Sequence, residues 1–233
     1  MNATAALLMM LTSTSLPASD PSSLVPVPQT SEGILARQNL VLQRARESAP
    51  GGVVFVGDSI TQAWDGTDLW TERFVPMGAV NLGVSGDRTE HVLWRLEQAP
   101  LTRLAPKAVV LLIGTNNLGH GTSTAAETLA GIRAVVDKMK KQVSSARIVL
   151  CAIFPVGKHI NAMRGEVLQI NQALARAYAN DSSVTLVDLG SSFVDADGNI
   201  SPSLMPDGLH LAPAGYTIWA DGIKAPLEAA VGR

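Results

Sequence analysis

The sequence predicts an α/β fold in which a doubly wound, mainly parallel five-stranded sheet lies between two layers of helices. Five short runs rich in β-branched and aliphatic residues each lead into a longer stretch with apolar residues at helical spacing, the alternation that builds a parallel sheet. The runs are continuously apolar, as strands covered on both faces must be. With 233 residues, 46% of them hydrophobic, the chain can bury such a core within one domain.

Residues 1–30 are read as a signal peptide or arm followed by a disordered linker, and residues 31–233 as the folded domain. Ala5 to Leu11 (AALLMML), with Leu16-Pro17-Ala18-Ser19, resembles a short signal-peptide core with a cut near Ala18. The first basic residue is Arg37, so the usual basic start is missing. Export to the periplasm or beyond and retention in the cytoplasm both stay open. From Pro17 to Thr30 the chain is rich in Pro, Ser and Asp without an apolar period, the composition of an extended linker.

Helical spacing then begins at Ile34, Leu35, Leu40, Val41 and Ala45, with Thr30 or Ser31 as N-cap and Gly51-Gly52 as the stop. The strand runs follow: VVFV at 53–56, AVNLGV at 79–84, AVVLLI at 108–113, ARIVLCAI at 146–153 and VTLVDL at 184–189. Helical patterns lie between or after them at Asp87–Gln98, Thr124–Val143, Ala162–Asn180 and Ala212–Val231. Right-handed crossovers wind such a sheet in two directions and leave a ligand crevice beyond the carboxyl ends of the strands.

A formal charge of −2 provides no basic footprint for nucleic acid. No apolar stretch reaches the ~20 residues of a membrane span, so integral membrane contact is not expected. The single cysteine, Cys151, excludes an intramolecular disulfide and reads as a buried apolar residue within RIVLCAIF. Neither a Walker loop nor a G-x-G-x-x-G turn occurs, and Asp195–Asn199 (DADGN) reads as an Asp-Gly turn rather than a calcium loop, since no bidentate Glu follows. No cofactor and no metal are expected.

Four polar clusters occupy strand ends or the loop before the last helix, where the fold places ligands. Gly57-Asp58-Ser59-Ile60-Thr61 follows the first strand, where a tight turn exposes the Ser59 hydroxyl; a plain helix cap would use the same residues. Asn81 to Thr89 (NLGVSGDRT) offers the bare backbone N–H of Gly86, with Asp87 as an ordinary N-cap. Gly114-Thr115-Asn116-Asn117 places the Asn116 amide at the end of the third strand. In Asp207-Gly208-Leu209-His210 a carboxylate three residues ahead of a histidine can hold its Nδ1–H and leave Nε2 to take a proton from Ser59. His91, His120 and His159 lack such a partner and read as packing or surface residues.

GDSIT at 57–61, NLGVSGDRT at 81–89, GTNN at 114–117 and DGLH at 207–210 resemble, in order and spacing, the four blocks of the GDSL or SGNH hydrolases. Within that family GDRTEHVLWRLE at 86–97 is most similar to the catalytic subunits of intracellular platelet-activating factor acetylhydrolase and their bacterial relatives. The resemblance implies a flavodoxin-like three-layer α/β/α sandwich. It implies Ser59 as nucleophile, His210 as base and Asp207 as its acid partner, with Gly86 and Asn116 joining the Ser59 N–H in an oxyanion hole. The expected activity is hydrolysis of short-chain, acetyl-type carboxylic esters, with a small-molecule ester as partner and a homodimer left open. Carbohydrate O-acetyl esterase, lysophospholipase and thioesterase activities are the enzymatic alternatives. A catalytically silent interaction module and a flavin binder are the others; the former has no physical need to keep nucleophile, base and oxyanion donors together. Trp64, Leu118, Phe154, Leu204 and Leu209 are candidates for the acyl pocket as well as for plain core packing.

Overall fold

The computed structural model describes residues 20–232; the stretch on which the signal-peptide reading rests lies outside them. Five parallel strands form one sheet: β1 (Val53–Gly57), β2 (Val80–Asn81), β3 (Ala108–Leu112), β4 (Arg147–Cys151) and β5 (Val184–Val187). Their order is β2-β1-β3-β4-β5, and every pairing is parallel. This is the flavodoxin-like order, in which the winding reverses between β1 and β3 and opens a crevice there.

The strands alternate faces and both faces are covered. Val54, Val56, Val109, Leu111, Ile148 and Leu150 join the core beneath α1 (Glu32–Glu47), α4 (Thr89–Gln98), α6 (Ala125–Gln142) and α7 (Ala162–Tyr178). Val53, Phe55, Val110, Leu112, Val149 and Cys151 join the other core, beneath α2 (Ser59–Gln62), α3 (Asp68–Arg73) and α8 (Pro213–Val231). A short helix, α5 (Thr115–Gly119), follows β3. The continuous apolar reading of the strands thus has its cause in burial from two sides.

The second strand is shorter than the run at 79–84 suggests. Beyond Asn81 the chain keeps donating to β1, from Leu82 N to the Phe55 carbonyl (2.8 Å) and from Val84 N to the Gly57 carbonyl (3.1 Å). The Asn81 side chain takes the Gly83 N–H at 2.9 Å and bends the segment out of regular pairing. The following helix starts at Thr89 with Arg88 as N-cap, so Asp87 is not the cap that its residue type suggests.

The linker reading of 17–30 also differs from what its described part does. Ser22–Leu24 forms a 3-10 turn with Ser23 fully buried, and Val27 N–H donates to the Glu90 carbonyl at 3.3 Å. A Pro- and Ser-rich segment lacks an apolar period, yet it docks through backbone and hydroxyl hydrogen bonds that such a period does not register.

Candidate active site

Ser59 opens α2 directly beyond β1. Asp58 caps that turn by accepting the Ile60 N–H at 3.0 Å, and it is itself buried. Beneath α2 an aromatic cluster fixes the turn relative to α8. Trp64 stacks on Trp219 with centroids 4.2 Å apart, and the Tyr216 hydroxyl donates to the Ile60 carbonyl at 2.7 Å. Two elements far apart in sequence are thereby held against each other at the crevice.

His210 stands three residues before α8, on a loop that passes the Ser59 turn. The Ser59 Oγ lies 3.0 Å from His210 Nε2, and His210 Nδ1 lies 2.7 Å from Asp207 Oδ2. A neutral ring that donates Nδ1–H to the carboxylate presents a lone pair at Nε2 to the serine hydroxyl. The other Asp207 oxygen accepts the backbone N–H groups of Leu209 (2.9 Å) and His210 (2.8 Å), so the carboxylate is locked to the loop that carries its partner. Burial alone would raise the Asp207 carboxyl; the His210 ring and the two amides outweigh it and hold the group at about 2. It is therefore ionised throughout the neutral range. The loop is anchored from behind by Gly157 N–H donating to the Gly208 carbonyl at 2.7 Å.

Gly86 and Asn116 follow β2 and β3, the two strands that flank β1. Gly86 adopts φ 74°, a left-handed conformation that a side chain would strain. Its loop is tied to α2 at two points: Gln62 Oε1 accepts the Ser85 N–H at 2.8 Å, and Asn81 Nδ2 donates to the Thr61 carbonyl at 2.7 Å. The Asn116 amide donates one hydrogen to the Asp87 carbonyl at 2.9 Å, which joins the second and third polar clusters; an amide NH₂ carries a second hydrogen.

Several buried groups that support this arrangement are not evident from residue type. Asp87 is fully buried and paired with Arg95. Burial pushes its carboxyl up to about 6 against the pull of the guanidinium, which leaves it ionised at neutral pH. Arg37 of α1 donates to the Gly83 carbonyl at 2.8 Å and to Asp65 at 2.5 Å. Asn117, visible in the sequence only as the neighbour of Asn116, is fully buried and accepts the Thr89 N–H at 3.0 Å.

Other polar candidates fall elsewhere. His91 Nδ1 accepts the Arg88 N–H within the first turn of α4, and burial lowers its ring to about 4. His159 contacts Asn199, and His120 is exposed at the end of α5. Burial pushes the Cys151 thiol up to about 12, with Trp219 Nε1–H donating to its sulfur. Asp195 accepts the amides of Asp197 and Asn199 and closes its own turn. Of the pocket candidates, Trp64 and Phe154 are interior packing residues and Leu118 lies at the edge of the core, while Leu204 and Leu209 are half-buried beside the His210 loop.

Residues 55–218 match the model of the GDSL-like lipase/acylhydrolase family. The alpha1 subunit of platelet-activating factor acetylhydrolase IB from Homo sapiens is 41% identical over 165 residues, which cover 71% of this chain and 70% of that subunit. The alpha2 subunit from Rattus norvegicus is 36% identical over 182 residues, 78% of either chain. Among solved structures, a putative acylhydrolase from Bacteroides fragilis superposes with a TM-score of 0.72 at 23% identity, covering 87% of this chain and all of the other. An acetylxylan esterase from Geobacillus stearothermophilus does so with 0.61 at 20%, covering 81% of this chain and 97% of the other. These last two likenesses speak for the fold. The family match and the two subunits carry more: this chain belongs to the GDSL-like lipase/acylhydrolases, a family of ester hydrolases.

Proposed function

We propose that the protein hydrolyses short-chain carboxylic esters, acetyl esters first among them, through an acyl-enzyme on Ser59. The observation that carries this reading is the hydrogen-bonded line from Ser59 Oγ through His210 to Asp207, 3.0 Å and 2.7 Å long. His210 Nε2 takes the proton as Ser59 Oγ attacks the carbonyl carbon, a contribution of about 10² to 10⁴ in rate. Asp207 holds the ring by Nδ1–H and stabilises the imidazolium without itself taking the proton. The tetrahedral oxyanion receives hydrogen bonds from the Ser59 and Gly86 N–H groups and from Asn116 Nδ2. On collapse His210 returns its proton to the departing alkoxide. Water then enters, loses a proton to the same nitrogen and releases the acid with Ser59 restored.

The preference for acetyl draws on the relatives, whose names describe acetylhydrolases. It is tested with p-nitrophenyl acetate, butyrate and octanoate against the wild type and Ser59→Ala at matched folded concentration. The expected result is a rate that falls with chain length and is lost in Ser59→Ala. Preference for octanoate would overturn the short-acyl reading, and turnover that survives without the Ser59 hydroxyl would overturn the nucleophile.

A further inference from the structure

The segment Pro21–Gln29 lies outside the family-matched region of 55–218, yet it is packed against the loop that carries Gly86. Ser23 is fully buried, and its hydroxyl donates to the Glu127 carbonyl of α6 at 2.8 Å. Its carbonyl accepts the hydroxyl of Thr89, also fully buried, at 2.9 Å. The Ser22 hydroxyl reaches the Thr122 carbonyl at 3.2 Å. At Gly131 of α6 an added Cβ would come within 2.3 Å of Thr89 Oγ1 and 3.0 Å of the Ser23 carbonyl, so the helix presents a glycine where the segment and Thr89 need the space. Further along, the Gln29 amide and the Ile34 side chain both stand 3.6 Å from where a Cβ on Gly86 would be.

Thr89 is the meeting point. Its N–H donates to Asn117 Oδ1 at 3.0 Å, and its hydroxyl accepts from Asn117 Nδ2 at 3.2 Å. The same Asn117 amide reaches Glu90 Oε2 at 3.1 Å. Asn117 and Asn116 are consecutive in α5, and Thr89 follows Gly86 by three residues. This buried network therefore links the loop that carries Gly86 to α5, which carries Asn116, beside the direct bond from Asn116 to the Asp87 carbonyl. A network of this kind holds its geometry only when every member is satisfied, and the Ser23 backbone carbonyl is the nearer acceptor for the Thr89 hydroxyl, at 2.9 Å against 3.4 Å for Glu90 Oε2.

We propose that Pro21–Gln29 is a strap that positions the oxyanion donors, with Ser23 and Thr89 as positioning residues that hold Gly86 and Asn116 in register through Asn117. The inference rests on the reading of Gly86 and Asn116 as oxyanion donors. A strap that loosens costs transition-state stabilisation and leaves ground-state binding in place, so kcat falls and KM does not move.

The test is a double-mutant cycle in the full chain with p-nitrophenyl acetate, using Ser23→Ala, Thr89→Val and the pair, with Thr89→Ser as the conservative variant. Each single variant is expected to lose at least about threefold in kcat at unchanged KM, the sensitivity of a preorganised site to small displacements. The pair should be no slower than its slower member, because the two changes release one strap at two of its anchors, Ser23→Ala at the Glu127 carbonyl and Thr89→Val at the Ser23 carbonyl. Thr89→Ser, which keeps the hydroxyl, should keep the wild-type kcat. If Thr89→Val fails to fold, Ser22→Ala with Ser23→Ala releases the strap from its outer side and is read in the same way. Unchanged kcat, a change carried by KM, losses that multiply or a slow Thr89→Ser would each overturn the proposal. Loss of rate in Asn116→Ala alongside wild-type rates in the strap variants would overturn the strap alone, whereas a wild-type rate in Asn116→Ala would strike at the oxyanion reading beneath it.

Discussion

Asp207 and His210 are three residues apart, yet in the proposed mechanism the general base must meet a nucleophile more than a hundred positions away. The Ser59–His210 contact spans 151 positions. In the proposed mechanism the donors opposite it act as fixed dipoles, which cost no reorganisation when charge develops. Asn116→Ala is accordingly expected to lower kcat by about 10² to 10³ with folding intact, measured by steady-state kinetics on p-nitrophenyl acetate. Asp58 behaves differently. It is fully buried, its Oδ2 makes no hydrogen bond, and its carboxyl is pushed up to about 7, by burial first and by the charge of Asp87 next. The folded-state value exceeds the unfolded one, so the native protein holds a proton that the unfolded chain gives up. Stability is therefore lost as pH rises from about 4 to about 7 and stays lower above that. Asp58→Asn keeps the cap and removes the titration, so its thermal midpoint should match the wild type near the acid end of that window and exceed it at pH 8. Equal differences at both pH values would contradict this.

Elements carry the site by being clamped in pairs. The turn into α2 and the start of α8 are joined by the Trp64–Trp219 stack and the Tyr216–Ile60 hydrogen bond, and the loop after β2 is joined to α4 by the Asp87–Arg95 pair. A buried pair of this sort is hard to dissect by gain but easy to dissect by loss. Arg95→Leu leaves the Asp87 carboxylate buried without its partner and should cost about 3–5 kcal/mol in urea unfolding. A loss under about 1 kcal/mol would mean that Asp87 finds another way to shed its charge.

For the molecule as a whole, what could be read in advance follows the range over which each signal acts. The strands announce themselves as continuous apolar runs and the long helices through local periodicity, and Ser59, Gly86, Asn116, Asp207 and His210 stand out because each follows a strand or precedes a helix. The helices α2, α3 and α5, of four to six residues, are too short to develop a period. Burial is not a property of residue type, so Asp87 read as a cap and Asn117 as a neighbour. The segment at 20–30 read as linker because its attachments are hydrogen bonds to residues up to 104 positions away.

The central claim is that Ser59 carries the acyl group. Rapid quenching of the protein with excess p-nitrophenyl acetate, followed by digestion and mass analysis, tests it most directly. The account predicts one acetyl group on the peptide containing Ser59, formed in a burst and absent from Ser59→Ala. Turnover without any acetylated peptide, or acetyl placed on another residue that forms and decays at the turnover rate, would contradict it.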